Sequence, residues 1–405
     1  MEVINYGHTA WMLTATALVF LMTPAGLALF YGGLSDRRNV MNTVGMSYIS
    51  MCLATLVWVI AGYSLAFGES QNGWLGKLDH FLLRNIALTD LTGAIPELLF
   101  VAFQGVFAAI AVAIISGSVV ERLKFSTWIL FATGWILVVY APLTHWVWGD
   151  GFIHGMGELD FAGGTVIHIN AGVSGLIIAL MVGKRNQQVI VSKPSSVKLT
   201  VLGSALLWFG WFGFNAGSGL GADFLAANAF LVTNLAACAG GLAWLLVEWS
   251  TEKRPSLLGL SSGVISGLVG ITPAAGYVDV GGALAIGLIA GLIGYAGVVK
   301  LKTWLSYDDT LDAFGIHGLV GIWGSLATGL FAHPNINDGS GLFYGNPQQL
   351  WIQLLAVVVT ILYAGFATFL VFGLSAWLTR GGRVETHMEL EGIDVAYHQE
   401  RSFAD

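Results

Sequence analysis

Two histidines of this 405-residue sequence lie within long apolar stretches, where a titratable side chain is energetically costly. His168 follows Asp160 by eight residues, and His317 follows Asp309 by the same number. Ionisable residues in such surroundings usually line a functional path, so these two rings are the first candidates for chemistry.

Two neutral imidazoles in one pore could act together. Each ring can donate a hydrogen bond at one nitrogen and accept one at the other, so the pair would favour a small neutral molecule that forms hydrogen bonds. Metal binding is the alternative use, but no third ligand occurs at a recognisable spacing. We therefore predict that His168 and His317 line one pore, with no metal site and no cofactor.

The two aspartates are suited to a structural role. A carboxylate at the start of a helix can accept hydrogen bonds from the free backbone N–H groups there. Asp160 precedes Ala162-Gly163-Gly164, whose small side chains allow close backbone approach, so we interpret it as a cap or loop brace more than as a direct ligand. Asp309 and Asp312 compete for the equivalent place, and the spacing favours Asp309.

Only 10% of the residues are charged and 56% are hydrophobic. Soluble domains carry about 25% charged residues, so this chain has too few polar atoms to cover a water-facing surface. We predict an integral membrane protein. Cys52 and Cys238 lie in apolar stretches and are interpreted as buried thiols without a disulfide. Runs of about twenty apolar residues, enough to cross a bilayer, predict eleven spans at about 10–33, 40–67, 95–119, 126–148, 161–183, 199–219, 225–249, 257–277, 281–301, 311–332 and 348–379.

The basic residues predict the orientation. All Lys and Arg residues except Lys77 and Arg84 fall in alternate loops or in the C-terminal tail. Basic loops stay on the cytoplasmic side, so the N-terminus is expected outside and the C-terminus in the cytoplasm. That arrangement needs an odd number of spans, which supports eleven.

The two Asp–His elements predict an internal repeat. One element begins span five and the other begins span ten, so each closes a unit of five spans. Because five is odd, the second unit must be inverted, as in many transporters whose site lies between the repeats near the midplane. The predicted fold is all-α: eleven transmembrane helices in two inverted five-helix repeats (about 10–185 and 199–332) plus an extra C-terminal helix (about 348–379). Residues 1–383 would form the membrane domain and 384–405 a cytoplasmic tail.

Eight short motifs of this sequence together match the pattern of a known protein family. They are FYGGL (30–34), GYSLAFG (62–68), FQGVFA (103–108), HWVWG (145–149), DFAGG (160–164), WFGWFGFNAGS (208–218), ITPAAGY (271–277) and DAFGIHG (312–318). In this order they resemble the ammonium transporter (Amt/Mep/Rh) family, on its bacterial and archaeal Amt side.

The resemblance implies a role for individual residues. Trp148, Phe107 and Ser218 match an external recruitment site for ammonium, which Asp160 shapes, and aromatic faces attract cations within about 6 Å. Phe107 and Phe214 match a paired aromatic gate. His168 and His317 match the paired pore histidines. Trp211, Tyr31 and Thr272 resemble further pore or vestibule residues.

The resemblance also implies the activity. Ammonium would lose its proton above the gate because a dry apolar pore disfavours a charge. Ammonia would then pass the histidines while the proton moves separately, with the histidine pair as the leading route. A homotrimer in the cell membrane (the inner membrane where a cell has two), serving nitrogen uptake, is expected; an enzyme or a nucleic-acid-binding protein is not.

Two segments depart from the family pattern. Asp150 stands where the family commonly has glycine, and it would either raise the local cation concentration or brace a loop. The tail at 392–400 resembles the cytoplasmic signature through which trimeric nitrogen-regulatory PII signal proteins act, but Gln399 and residues 401–403 depart from it. Regulation is therefore less supported than transport.

Two other functions compete with transport. An ammonium sensor would use a similar membrane domain to pass ligand state to signalling modules. The sequence ends about 25 residues after span eleven without a kinase or cyclase segment, and a longer native chain would favour the sensor. A water or neutral-gas channel is disfavoured because the recruitment aromatics would have no cation to bind.

Overall fold

Eleven apolar helices cross the bundle in the computed structural model, which describes residues 3–186 and 193–403. Ten of these helices have at least 18 residues and one, α8, is shorter. Their number within the described residues agrees with the predicted eleven spans. The helices are α1 (Tyr6–Leu34), α2 (Val40–Phe67), α3 (Glu97–Ser116), α4 (Phe125–Met156), α5 (Gly164–Val182), α6 (Val197–Gly217), α7 (Phe224–Glu252), α8 (Leu257–Ile271), α9 (Val280–Leu305), α10 (Phe314–Phe331) and α11 (Pro347–Leu378).

Short elements lie between and after these helices. The α2–α3 connection holds two antiparallel strand pairs, β1 (Ser70–Gln71) with β2 (Leu75–Gly76) and β3 (Leu91–Thr92) with β4 (Ile95–Pro96). It also holds a 3-10 helix, Leu78–Leu83. A second 3-10 helix, Leu342–Tyr344, precedes α11, and the tail forms a helix (Thr386–Glu391) and a π-helical turn (Asp394–His398).

Helix α8 is shorter than the predicted span 257–277. It ends at Ile271, one residue before Thr272-Pro273. Proline has no N–H to continue the hydrogen-bond ladder, and its ring clashes with the preceding turn. Residues 272–277 instead form turns, and the carbonyl oxygen of Pro273 accepts a hydrogen bond from Phe161 N at 3.1 Å. The break therefore creates part of the surface on which the α4–α5 loop rests.

The two histidine-bearing helices begin in the same unusual way. Helix α5 starts with the π-helical segment Gly164–Ile169, and α10 starts with Phe314–Leu319. The Asp309 carboxylate accepts from Phe314 N at 2.7 Å, whereas Asp312 pairs with Lys302. Asp309 thus takes the capping position that the spacing favoured. π-Helical turns are rare and often occur at functional sites.

Helices α5 and α10 cross in close contact. A Cβ on Gly172 would collide with the backbone of Gly318, and one on Gly321 would lie 3.0 Å from His168 Cβ. Small residues let helix backbones approach within a membrane, where lipid provides no hydrophobic drive for helix association. The crossing therefore brings the two histidines to the same level.

The glycine rows of α8 and α9 have a similar packing role. Gly263 and Gly267 of α8 face the backbone of α7, as do Gly287 and Gly291 of α9. Each would place an added Cβ against a backbone oxygen of α7. These rows support the bundle and do not contribute to the pore.

The outer surface of the bundle is apolar, with exposed leucine, phenylalanine and tryptophan side chains along α2, α7 and α11. Such a surface suits lipid or another apolar protein surface and not water. The prediction that Cys52 and Cys238 are buried is wrong, since both are exposed on this surface. A lipid-facing position and a core position are both apolar, so the sequence alone did not separate them.

The tail folds back onto the start of α2 in the same chain. Asp394 accepts hydrogen bonds from Met41 N and Asn42 N at 2.9 and 2.8 Å, and Ile393 N donates to Asn39 Oδ1. A carboxylate is favourable at a helix N-terminus because several N–H groups there lack partners. These contacts fix the segment that resembles the family's tail signature.

Candidate functional site

A cavity of about 360 Å³ opens at the end of the bundle opposite the tail. We call it the vestibule. Its lining combines aromatic rings with a few polar side chains, and it includes all four predicted recruitment residues. The residues that line it include Gln104, Phe107, Trp148, His154, Glu158, Asp160, Phe161, Ser218 and Tyr277.

Asp160 braces the vestibule wall from beneath. Its carboxylate accepts hydrogen bonds from the backbone N–H groups of Gly163, Gly164 and Thr165 at 2.6–2.9 Å, and from Thr165 Oγ1 at 2.6 Å. Its own carbonyl oxygen accepts from Trp148 Nε1 at 2.8 Å. Asp160 therefore fixes both the start of α5 and the plane of the Trp148 ring, and all its strong acceptor positions are in use.

Ser218 presents an acceptor to the vestibule. Its hydroxyl donates its only hydrogen to the carbonyl oxygen of Phe214 at 2.9 Å. The oxygen lone pairs that remain can accept from a ligand N–H group. Trp148 and Phe107 stand at the same cavity, with ring centroids 6.1 Å apart and planes at 79°. An aromatic wall and a hydroxyl acceptor together suit a small cation that donates hydrogen bonds.

Phe107 and Phe214 close the bottom of the vestibule. Their rings stack with centroids 4.3 Å apart at an angle of 24°, and each residue is 1% exposed. The structure therefore brings together the two residues predicted as a gate, and we call them the gate pair.

The histidine pair lies directly below the gate pair. His168 stacks beneath Phe214, with centroids 6.2 Å apart, and its Nδ1 lies 3.2 Å from Nδ1 of His317. One of these nitrogens must donate and the other accept. If both rings are neutral, the ring whose Nδ1 donates has a lone pair at Nε2. The ring whose Nδ1 accepts carries its hydrogen at Nε2. The pair therefore always offers one donor and one acceptor beyond its internal bond.

The space around the histidines is narrow and apolar. A cavity of about 10 Å³ is enclosed there, close to the smallest volume that holds one water-sized molecule. Besides the histidines it is lined by aliphatic and aromatic side chains, among them Phe30, Ile110, Leu207 and Trp211. Trp211 Nε1 donates to Thr272 Oγ1 at 2.9 Å, which holds that ring against His168. A bare ion would find no hydration here.

The vestibule also contains Glu158 and Tyr277, to which the sequence assigned no role, although Tyr277 ends the ITPAAGY motif. Glu158 stands two residues before Asp160, and a second carboxyl in so short a loop was the available signal. Asp150 lies at an exposed bend that interrupts α4 after Trp148, with φ +60° and its carboxylate 3.9 Å from His154 Nε2, so its two proposed uses stay open. No cluster of three or more His, Cys, Asp or Glu residues that could hold a metal ion occurs in ranges 3–186 and 193–403.

Comparison with known sequences gives one consistent family. The sequence model of the Ammonium Transporter Family matches residues 10–403. An ammonium transporter of Aquifex aeolicus is 47% identical over 401 residues, covering 99% of this chain and 94% of that protein. Ammonium transporter Amt1 of Archaeoglobus fulgidus is 43% identical over 398 residues, covering 98% and 99%.

Comparison with solved structures gives the same fold. Saccharomyces cerevisiae Mep2 superposes with a TM-score of 0.88 at 34% identity, over 95% of this chain and 88% of that one. A structure titled Sensor Amt Protein gives a TM-score of 0.89 at 31% identity, over 96% and 98%.

Proposed function

The chain belongs to the ammonium transporter family, and from this premise we propose that it moves ammonium as separated ammonia and proton. It is a multi-pass membrane protein of a family of transporters and channels, not of enzymes. The observation that carries the mechanism is one unbroken series of side chains: Trp148 and Ser218 at the vestibule, the gate pair, then the histidine pair.

The vestibule would select the charged form of the substrate. Ammonium would place its charge against Trp148 and Phe107 and donate one N–H to Ser218 Oγ. Cation–π attraction contributes roughly 0.5–2 kcal/mol, depending on how far the cation is desolvated. A neutral gas would gain little from this arrangement.

The path below would select the neutral form. The gate pair leaves no room for hydrating water, and the space beyond it is apolar, so a charge there would be costly. Ammonia both donates and accepts hydrogen bonds, which matches the donor and acceptor that the histidine pair offers. The released proton would travel separately, and the hydrogen-bonded imidazoles supply a route for it.

Three further features belong to the same proposal. The excess of basic residues at the tail end supports a cytoplasmic C-terminus and an outward-facing vestibule. A homotrimer with one pore per subunit is expected from the family resemblance. A trimeric PII signal protein would act at the tail face, where Gln399 and residues 401–403 depart from the family signature.

An ammonium sensor is the second candidate, and the resemblance to the structure titled Sensor Amt Protein favours it. A transporter must carry a flux of ammonium across the membrane, whereas a sensor need not. Proteoliposomes on a solid-supported membrane should give a transient current after an ammonium pulse and none after a choline pulse of equal ionic strength.

Matched histidine variants sharpen this test. His168→Gln and His317→Gln should each lower the current at least about tenfold, because an amide cannot relay a proton as imidazole does. His387→Gln is the control, since that ring lies exposed in the tail. Absence of any ammonium-driven current or flux in folded wild-type protein would contradict transport and favour the sensor.

A further inference from the structure

Glu158 is a buried carboxyl group with no assigned task. It is 9% exposed, and both of its carboxylate oxygens lack a hydrogen-bond partner within the part of the chain that the structure describes. Burying a charge without partners is expensive, so a purely structural glutamate would be paired. Glu158 is therefore a carboxyl group at the vestibule that no structural hydrogen bond of the described residues accounts for.

The protein holds Glu158 firmly in place. Its neighbour Leu159 donates through N to Gln353 Oε1 at 2.8 Å and accepts at O from Gln353 Nε2 at 2.9 Å. On the other side, Gly157 O accepts from Gln349 Nε2. Two buried glutamines of α11 therefore clamp the backbone on both sides of Glu158 and aim its side chain at the vestibule wall.

Asp160 cannot accept a proton as readily as Glu158 can. The Asp160 carboxylate already accepts four short hydrogen bonds, including the hydroxyl hydrogen of Thr165. Adding a proton would break part of this brace. Glu158 lies in the same loop as Asp160, and neither of its carboxylate oxygens accepts a hydrogen bond from the described residues. The two carboxyl groups therefore differ in their capacity to accept a proton.

The surroundings tune Glu158 for proton exchange. Burial, and then the negative charge of Asp160, raise the pKa of Glu158 well above its usual range, and the nearby Thr165 hydroxyl, whose hydrogen is donated to Asp160, lowers it by less. Tyr277 faces the same carboxyls, and burial with the charges of Asp160 and Glu158 raises the pKa of that phenol to about 12, so it stays neutral. His154 lines the same cavity. A raised pKa means that the Glu158 carboxylate binds a proton more tightly than an exposed glutamate does.

We propose that Glu158 is the group that accepts the proton which ammonium loses in the vestibule. In this step an N–H bond of ammonium breaks, the nitrogen keeps the electron pair as ammonia, and an O–H bond forms on Glu158. One positive and one negative charge become two neutral groups, so the ammonia can pass the gate pair. The proton then leaves along the route that carries the conducted proton. This inference rests on the proposed transport function.

The test compares Glu158→Gln with a matched carboxyl-to-amide control. Glu69→Gln is that control, because Glu69 is an exposed residue of the α2–α3 connection paired with Lys77. In the proteoliposome assay, Glu158→Gln should lower the ammonium current at least about tenfold, since a positioned proton acceptor usually contributes about 10²-fold or more. Glu69→Gln should leave it unchanged.

The pH profile separates a proton acceptor from a structural group. Ammonium stays protonated between about pH 5.5 and 7.5, so any change there reports on the protein. Wild-type current should fall towards the acid end as Glu158 becomes protonated, and the residual current of Glu158→Gln should be flat. Equal losses in Glu158→Gln and Glu158→Ala with an unchanged pH profile would overturn the proposal.

Infrared spectroscopy gives a readout that needs no transport. Adding ammonium to wild-type protein should produce a carboxylic-acid C=O band that is absent in Glu158→Gln and present in Glu69→Gln. Persistence of the band in folded Glu158→Gln protein would overturn the assignment. A wild-type protein without any ammonium-driven current would instead contradict the proposed function.

Discussion

Ser218 shows how one hydrogen atom determines what a residue can bind. Its hydroxyl hydrogen is committed to the carbonyl oxygen of Phe214, one helical turn earlier. The oxygen facing the vestibule can therefore only accept, which suits ammonium and gives no advantage to a ligand without N–H or O–H groups.

Replacing Ser218 by alanine should weaken ammonium binding while sparing the later steps. A hydrogen bond to a charged group is worth about 1.5 kcal/mol or more, and 1.4 kcal/mol corresponds to tenfold in affinity. We expect the half-saturating ammonium concentration to rise by about tenfold, with the maximal current little changed.

Ser250→Ala is the control for this substitution. Ser250 donates to a carbonyl oxygen of its own helix, Val247 O, in the same manner, but it lies exposed near the end of α7. Equal half-saturation in wild type and Ser218→Ala would show that the hydroxyl does not contact the substrate.

At the scale of the helices, Asp160 and the start of α5 form one unit. The first N–H groups of a helix have no partner within it, and here the π-helical start leaves Gly163, Gly164 and Thr165 with their N–H groups converging on one carboxylate. The same carboxylate fixes the level of His168, which lies within that π-helical segment. A capping residue thus also positions the pore.

Asp160→Asn should therefore destabilise the protein far more than an ordinary cap substitution. An asparagine keeps one acceptor oxygen, and its amide group would face backbone N–H donors. We expect a loss of about 3 kcal/mol or more in the free energy of unfolding, measured as a lower unfolding temperature in detergent.

Asp279→Asn supplies the comparison. Asp279 caps α9 with a single side-chain bond to Gly282 N at 2.8 Å, and asparagine caps helices about as well as aspartate. Similar unfolding temperatures for the two variants would contradict a special role for the Asp160 brace.

At the scale of the whole molecule, buried charges tie together three loops at the tail end. Arg185 binds Glu121 at 2.6 Å and Asp308 at 2.8 Å, and Arg122, which is fully buried, donates to the carbonyl oxygen of Asp308. These residues belong to the α3–α4, α5–α6 and α9–α10 connections. The cluster links the two predicted repeats away from the pore.

This cluster should make the free energy of unfolding depend on pH under acidic conditions. Burial alone would raise the pKa of Asp308, but the hydrogen bonds and charge of Arg185, with the charge of Arg122, lower it to about 2. Because the folded pKa is depressed, the contribution is complete above the unfolded value of about 4. It is lost as pH falls through the folded value, at most about 2.6 kcal/mol.

Unfolding temperatures measured in pH steps check this expectation. Wild type should lose stability between about pH 4 and 2 by more than Asp308→Asn does, since the variant has no carboxyl to titrate. Parallel curves for the two proteins would contradict it.

The sequence alone determined the class of fold, the helices and the family. Apolar runs of membrane length are a local property of the sequence, so the eleven spans could be located. The predicted bounds were wrong mainly at α8, which ends early, before Pro273. The eight motifs include Phe107, Trp148, Ser218 and both histidines, and the equal Asp–His spacing predicts a relation between the two halves. These signals depend on residue type and order, which a sequence carries in full.

Only the tertiary structure decided which groups meet and which bonds they already use. The exposure of Cys52 and Cys238 on the outer surface, the hydrogen bond between the two Nδ1 atoms and the stacking of the gate pair all depend on helix rotation and crossing. Asp160 and Glu158 read alike in the sequence as two carboxylates of one loop. Folding uses the acceptors of Asp160 to brace the chain and leaves those of Glu158 free, because the backbone N–H groups of α5 converge on the Asp160 carboxylate.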